Sequence, residues 1–407
     1  MYTSAGVSRP EPRMLLSCAR FALNGTVDSQ IESLLQRPID WNYLIELGLR
    51  HRTIPSLYSY FNSHYTDSVP KQIFDGLRHY SCGNIRRNLF LTGELYKILD
   101  RFSECGILAV PFKGLTLATR VYRSLSIRQF DDLDILVPKR EVIRARNMLI
   151  AQGFRPRFQL NAIEEAAYLE SGCAFTLDQD GVTVDLHWEI LAKGLSPRFD
   201  VDGLWERLQP ASLGGRTVLG PPVEDLFLLL CLHGAKHQWA RLEWICSLAG
   251  LVLVHPAMDW GRVMEQAARM GAKRMVLLGL LLVSGLLGMT LPPETEREAE
   301  ADPVAHFLSA QVYRGLFAEE EKDDCDRVVE KHAFQLKTRE RWRDKGRYFA
   351  RLLSLNLTPT AKDREQLILP AVVSFVYYLT RPLRLLREYG LGPLTYFVKR
   401  LRSVQNP

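Results

Sequence analysis

The stretch "SIRQFDDLDILVPKR", residues 126–140, decides the reading of the chain. It has the texture of a buried strand, yet it carries Asp131, Asp132 and Asp134. Side chains two apart on a strand share a face, so Leu133, Ile135 and Val137 form an apolar face while Asp132 and Asp134 project together from the other. Aspartate is disfavoured inside strands, and an unpaired buried carboxylate is costly, so the pair needs a partner. A hard divalent cation is a natural one, because Mg2+ is commonly held by one or two carboxylates together with substrate phosphates. Against this stands the plainer reading, in which aspartates cap turns or meet solvent. Asp131, at the start of the strand, is read as such a cap.

Outward from this stretch the pattern is mixed. "GILAVPF" (106–112) is a short strand, "KGLTLATRVY" (113–122) turns into a helix, and "REVIRARNMLIAQGF" (140–154) is a helix ended by Gly153. "CAFTLDQDGVTVDLHWEI" (173–190) is two strands split by a hairpin turn at "DQDG". In its second half, Val182, Val184, Leu186 and Trp188 share one face; Thr183, Asp185, His187 and Glu189 share the other. If this strand lies beside the first, Asp185 completes a three-carboxylate cluster. Such a cluster can hold two metal ions about 4 Å apart and stabilise both attacking and leaving oxygens of a phosphoryl displacement.

Apolar spacings of three and four surround this unit on both sides. The expected organisation is an N-terminal helical region (1–104), an α/β core (105–220), a helical domain (221–330) and a basic C-terminal helical segment (331–407). The fold class is α+β, mostly helical, with one small mixed sheet. The acidic stretches "PPETEREAEADP" (292–303) and "EEEKDDCD" (319–326) read as exposed connections.

Composition narrows the function classes. With 407 residues, 47% hydrophobic, the chain buries a sizeable core and is not disordered. The net charge of +6 is uneven: from Lys331 onward there are 16 Lys or Arg against 5 Asp or Glu, so the rest is net acidic. The basic end suits phosphate, nucleic acid or an anionic membrane surface, or is a solvated face. Seven scattered cysteines without a C-x-x-C pair fit a reduced, cytoplasmic protein, and the N-terminus does not read as a secretory signal. The apolar runs Met275–Met289 and Leu367–Leu379 fall short of the roughly 20 residues that span a bilayer, so both read as core helices. Arg381, Arg384 and Arg387 leave the second an interfacial alternative.

"HGAKHQWAR" (233–241) sets His233 and His237 four apart on one helical face with Lys236 adjacent. Position 234 is glycine, so this is not the H-E-x-x-H of a zinc protease. The three side chains line a cleft and bind triphosphate or ribose, or else they are ordinary packing. Arg128 is a similar case: it meets phosphate or pairs with Asp131. Trp239, Trp244 and Trp260 read as packing residues.

Taken in order, "PFKGLTLATRVYRSLSIRQFDDLDILVPKREVIRARNMLIAQGF" (111–154), "VDLHWEI" (184–190), "HGAKHQWARLEWI" (233–245) and the tail "YYLTRPLRLLREYG" (377–390) resemble the uncharacterised nucleotidyltransferase family, within the DNA polymerase β-like nucleotidyltransferase superfamily. Gly114 matches the superfamily's turn glycine, Asp132 and Asp134 its D-x-D, and Asp185 its third carboxylate. The resemblance implies an Mg2+-dependent transfer of a nucleoside monophosphate from a nucleoside triphosphate to an acceptor hydroxyl or phosphate, with pyrophosphate released. It implies two Mg2+ ions, with Mn2+ as the alternative, on Asp132, Asp134 and Asp185, and a nucleotide held by Lys113, Gly114, Arg128, His187, His233, Lys236 and His237. In this chain "KGLT" replaces the Gly-Ser turn, and Trp244 is followed by Ile245, Cys246 and Ser247 where relatives often carry W-x-x-D. The acceptor stays open among a small sugar or antibiotic-like molecule, a polysaccharide precursor, a peptide and a tRNA end. Two other readings are a non-catalytic nucleotide-binding or regulatory protein with the same fold, and a phosphodiester-cleaving metal enzyme.

Overall fold

The computed structural model describes residues 9–193, 197–318 and 324–357. The apolar run 367–379 and its flanking arginines lie outside the described residues, as do the tail motif and most of the acidic stretch 319–326.

Five helices lead in: α1 (Pro10–Asn24), α2 (Ile31–Leu35), α3 (Trp41–Arg50), α4 (Ile54–His64) and α5 (Lys71–Glu104). The α/β unit follows as β1 (Val110–Pro111), α6 (Gly114–Arg120), β2 (Asp132–Leu136), α7 (Val142–Ala151), β3 (Arg155–Pro156), α8 (Ala162–Ser171), β4 (Ala174–Gln179) and β5 (Val182–His187). After α9 (Val201–Arg207) comes the hairpin β6 (Gln209–Leu213) and β7 (Arg216–Gly220). The rest is helical: α10 (Val223–Lys236), α11 (Leu242–Val254), α12 (Trp260–Met270), α13 (Lys273–Leu287), α14 (Pro293–Glu300), α15 (Pro303–Leu316), α16 (Asp324–Lys337) and α17 (Trp342–Leu357).

The main sheet has the order β1-β2-β5-β4-β3. Its one parallel pair is β2 with β5; the other neighbours run antiparallel. Parallel strands cannot be joined by a tight turn, and here the connection takes α7, β3, α8 and β4. The alternation read from the sequence sets which face is covered. Leu133, Ile135, Val137, Val182, Val184, Leu186 and Trp188 join one core with Leu91, Leu95 and Phe102 of α5 and Val142, Ala145 and Leu149 of α7. The opposite face meets the helical region: Val110, Phe112 and Leu136 belong to a second core with α1, α4, α10, α11 and α13. Burying apolar side chains on both faces fixes the register, because a one-residue slip would send the aspartates into the first core.

Helix α5 does more than cover the sheet. Its buried Asn88 donates through Nδ2 to the carbonyls of Leu125 and Arg128, both at 2.7 Å, and Asn84 donates to Ser126 O at 3.3 Å. Two asparagine side chains therefore hold the irregular backbone that delivers the chain into β2, meeting carbonyls that a buried loop would otherwise leave unsatisfied.

Two expectations change. Residues 293–300 are exposed as expected except for Thr295 and Ala299, but they form helix α14 and not a loop: proline suits its first turn, and those two residues are buried beside α13 and α15. The β6–β7 hairpin, turning at Gly214 and Gly215, was not expected. The run Met275–Met289 is a core helix as expected, apolar around its circumference because neighbours cover it on all sides. Among the described residues no helix is long and apolar enough to cross a membrane.

Candidate active site

The site begins with register. Asp134 and Asp185 are Cα partners across the parallel pair, Asp132 faces Thr183, and Leu136 faces His187. Cross-strand partners share a face, so Asp132, Asp134, Asp185 and His187 stand on one side of the sheet. One ligand atom from each of Asp134, Asp185 and His187 fits within 4.8 Å of the others, a group able to hold a metal ion. The expectation grouped Asp132 with Asp134 and Asp185; the tight group contains His187 instead, with Asp132 at the half-buried opening of β2.

Asp134 is buried and receives two donors on one oxygen. Lys113 Nζ lies 2.8 Å from Oδ1 and His187 Nε2 lies 3.1 Å from it. Burial alone works to raise the Asp134 carboxyl, but the Lys113 ammonium and the His187 ring outweigh it and hold the group well below the usual carboxylate range. Asp132 goes the other way, pushed up to about 6 by burial and by the neighbouring charge of Asp134, with Lys113 opposing. Two carboxylates two residues apart thus differ strongly in proton affinity, the arrangement that acid–base and metal sites exploit. His187 Nδ1 is 3.2 Å from the carbonyl of Glu189, so both ring nitrogens face oxygen acceptors. Its ring also meets Phe112 edge-on at 5.1 Å. Asp185 is oriented from the far side by Thr176, whose hydroxyl donates to Oδ1 at 2.6 Å.

The "KGLT" turn puts Lys113 in place. Gly114 sits at φ +38°, a conformation side chains rarely adopt, and a Cβ there would meet the Asp132 carbonyl at 3.4 Å and the Phe130 ring at 3.5 Å. The turn's hydroxyl is engaged internally: Thr116 Oγ1 donates to Pro111 O at 3.0 Å and its backbone N–H to Lys113 O at 2.7 Å.

Of the two readings of Arg128, the pair with Asp131 does not form. Arg128 is buried, in an ion pair with Glu243 of α11 at 2.9 Å, and it reaches Gly114 O at 3.3 Å and Ser247 Oγ at 3.4 Å. Asp131 pairs instead with Arg52, at 2.5 Å. Arg128 therefore ties the glycine turn to α11, and the acid it meets is one residue before Trp244, with Ser247 also in contact.

At the end of α10, the rings of His233 and His237 lie 4.7 Å apart at a tilt of 50°, and both meet Trp244, at 5.2 and 5.3 Å. Burial keeps His233 well below its ordinary value and takes His237 down to about 4, so both rings are neutral near pH 7. Lys236 is exposed beside them. Arg241 lies over Trp244 at 5.5 Å. Gly234 is required by packing: a Cβ there would come within 2.6 Å of the buried Trp239 ring.

Sequence reasoning missed Arg52, Arg241, Thr176 and Glu243. Of these only Thr176 left a signal, since counting back from the turn at Asp180 and Gly181 places it opposite Asp185.

The site is thus a carboxylate-bearing parallel strand pair, a glycine turn carrying a lysine, and a covering helical region. The model of the uncharacterised nucleotidyltransferase family matches residues 37–288, and the chain belongs to that family. Among solved structures it is similar to the antibiotic-resistance factor ANT(2'')-Ia in solution, at 15% identity over 45% of this chain and 91% of that one, with a TM-score of 0.32. It is likewise similar to the crystal structure of ANT(2")-Ia in complex with adenylyl-2"-tobramycin, at 16% identity over 44% and 95%, with a TM-score of 0.31. No curated protein matches.

Proposed function

We propose that the protein transfers a nucleoside monophosphate from a nucleoside triphosphate to an acceptor hydroxyl or phosphate, releasing pyrophosphate in a divalent-metal-dependent reaction. The observation that carries this reading is the pairing of Asp134 with Asp185 across the parallel strands, with Lys113 at 2.8 Å. Two carboxylates and an imidazole within mutual reach suit a divalent ion, and the oxygen share of that donor set suits Mg2+ or Mn2+. Asp134, Asp185 and His187 would hold it, with Asp132 adding a carboxylate at the rim. When bound, the ion supplies charge that stabilises a transferring phosphoryl group and lowers the pKa of an acceptor hydroxyl.

The chain's own groups supply the rest. Lys113 brings a positive charge to the phosphates, and the backbone of Gly114 allows them a close approach. Thr176 fixes the carboxylate of Asp185, which takes the acceptor's proton. Arg128 acts through the turn it anchors. His233 and His237, neutral, hydrogen-bond the ribose or base, while Lys236 adds charge at the cleft edge. In this reading the α/β core (105–220) carries the carboxylates and the helical domain (221–330) closes the nucleotide cleft. Such catalysis rests on positioning and electrostatics.

The test is incubation with each triphosphate, labelled on the α-phosphate, together with Mg2+ and a cell extract. Label should move to an acceptor with pyrophosphate released, and Asp134→Ala and Asp185→Ala should each abolish both. Unchanged pyrophosphate release in both variants would sink the assignment.

A further inference from the structure

Arg343, Arg347 and Arg351 recur every fourth residue along α17, so they share one face of that helix. Like charges at that spacing destabilise a helix unless something answers them. That face borders a cavity of about 760 Å3, whose other walls include Arg269 at the end of α12, Arg341 before α17, and Arg198 in the segment after β5. Among the described residues, seven arginines and a single acid, Asp344, line it.

The acid is not equal to this charge. Among the described residues Asp344 has one ion-pair partner, Arg347, at 3.5 Å. Arg343 has no ion-pair or hydrogen-bond partner among the described residues, and the Nε of Arg351 is buried without one. The wall is built: Arg341 donates to the carbonyls of Ala268 and Arg269, and the buried Arg339 guanidinium lies over the Tyr348 ring at 4.0 Å. The cavity is also joined to the end of α10. Arg339 donates to Gln335, and Gln335 Nε2 donates to the carbonyls of Ala235 at 2.7 Å and Lys236 at 3.2 Å.

We propose that this cavity binds a small molecule carrying two or more phosphate groups. Guanidinium forks match phosphate oxygens two at a time, and several of them converging on one space call for more than one negative charge. The volume falls within the roughly 300–1,000 Å3 of small-molecule sites, which sets the ligand at metabolite size and not at the length of a nucleic-acid strand. The proposal is independent of the transfer reaction, because it concerns binding with neither metal nor nucleotide present.

Calorimetry in metal-free buffer, with inorganic tripolyphosphate as the probe, tests it. Wild-type protein should bind, Arg343→Glu/Arg347→Glu should bind at least tenfold more weakly, and Lys236→Ala, at the catalytic cleft, should bind as wild type. Arg343→Lys/Arg347→Lys, which keeps the charge and loses the fork, should weaken binding several-fold, and it stands in should the double reversal fail to fold. Binding unaffected by the arginine variants, binding lost in Lys236→Ala, citrate bound as tightly as tripolyphosphate, or a single-stranded RNA bound far more tightly through the same arginines would each overturn it.

Discussion

The ammonium of Lys113 and the Nε2 of His187 converge on one oxygen, Oδ1 of Asp134, at 2.8 and 3.1 Å. A buried carboxylate that loses its ammonium partner is left with uncompensated charge, a change that commonly costs several kcal/mol. Lys113→Met is therefore expected to lower stability by on the order of 3 kcal/mol at pH 7, read from urea unfolding. Excess MgCl2 should restore more stability to this variant than to wild type, because a divalent cation can answer the same carboxylate. Equal responses would separate the lysine from the metal group.

Thr176, the cross-strand partner of Asp185 on the same face of the sheet, orients that carboxylate through its hydroxyl. Removing such an outer partner typically costs 10–100-fold in metal affinity or activity. Thr176→Val should accordingly lower kcat by roughly tenfold or more, with the melting temperature little changed. A variant with wild-type kcat would show that Asp185 holds its orientation unaided.

Arg128 and Glu243 form a buried pair between the β2 approach and α11. Burial raises the Glu243 carboxyl, with Arg128 as the leading opposing charge. Arg128→Met should destabilise the protein by about 3–5 kcal/mol. Adding Glu243→Gln to that variant should return part of the loss, since the stranded charge goes with it. Additive losses in the double variant would contradict a direct coupling.

His51 gives the chain a pH dependence of its own. Fully buried, it donates from Nε2 to Leu316 O at 2.9 Å and accepts at Nδ1 from Leu242 N at 3.4 Å, so only the neutral ring satisfies both partners. Burial takes its pKa down from 6.5 to about 4. Above 6.5 folded and unfolded states are both neutral here; between 6.5 and about 4 only the unfolded state takes up the proton, so stability falls as pH drops through that window and levels below it. The slope is on the order of 1.4 kcal/mol per pH unit. His51→Gln should thus be more damaging at pH 8 than at pH 5, as judged by urea midpoints. A penalty identical at both would refute the linkage.

Much of the site could be read from local alternation. "FDDLDILV" and "VTVDLHWEI" each assign their own faces, because a strand's period of two leaves no freedom, and the structure keeps both assignments. The two faces also explain why Asp131 drops out: it precedes the strand and pairs with Arg52 at the surface. What could not be read was anything requiring two distant segments to be placed together. Glu243 is 115 residues beyond Arg128, and nothing in either neighbourhood specifies the other. His187 was seen as part of the right face, but its closeness to Asp134 depends on the parallel register, which the sequence leaves open. Helix α14 was misread because a charged, proline-led segment looks like a loop unless the burial of Thr295 and Ala299 is known.

The parallel pairing of β2 with β5 also sets an order of events. About 50 residues separate Asp134 from Asp185, and the β4–β5 hairpin, joined by a two-residue turn, can form from neighbouring residues alone. Strand β2 can pair with β1 beforehand, but its pairing with β5 comes only once that distant segment is made, since contacts distant in sequence repay the entropy of closing their loop only when formed. A ribosome that has released the chain only as far as α7 has exposed Asp132 and Asp134 with no third partner. The pocket's chemistry is thereby a late product of folding, and the emerging chain stays inert until the segment bearing Asp185 and His187 docks.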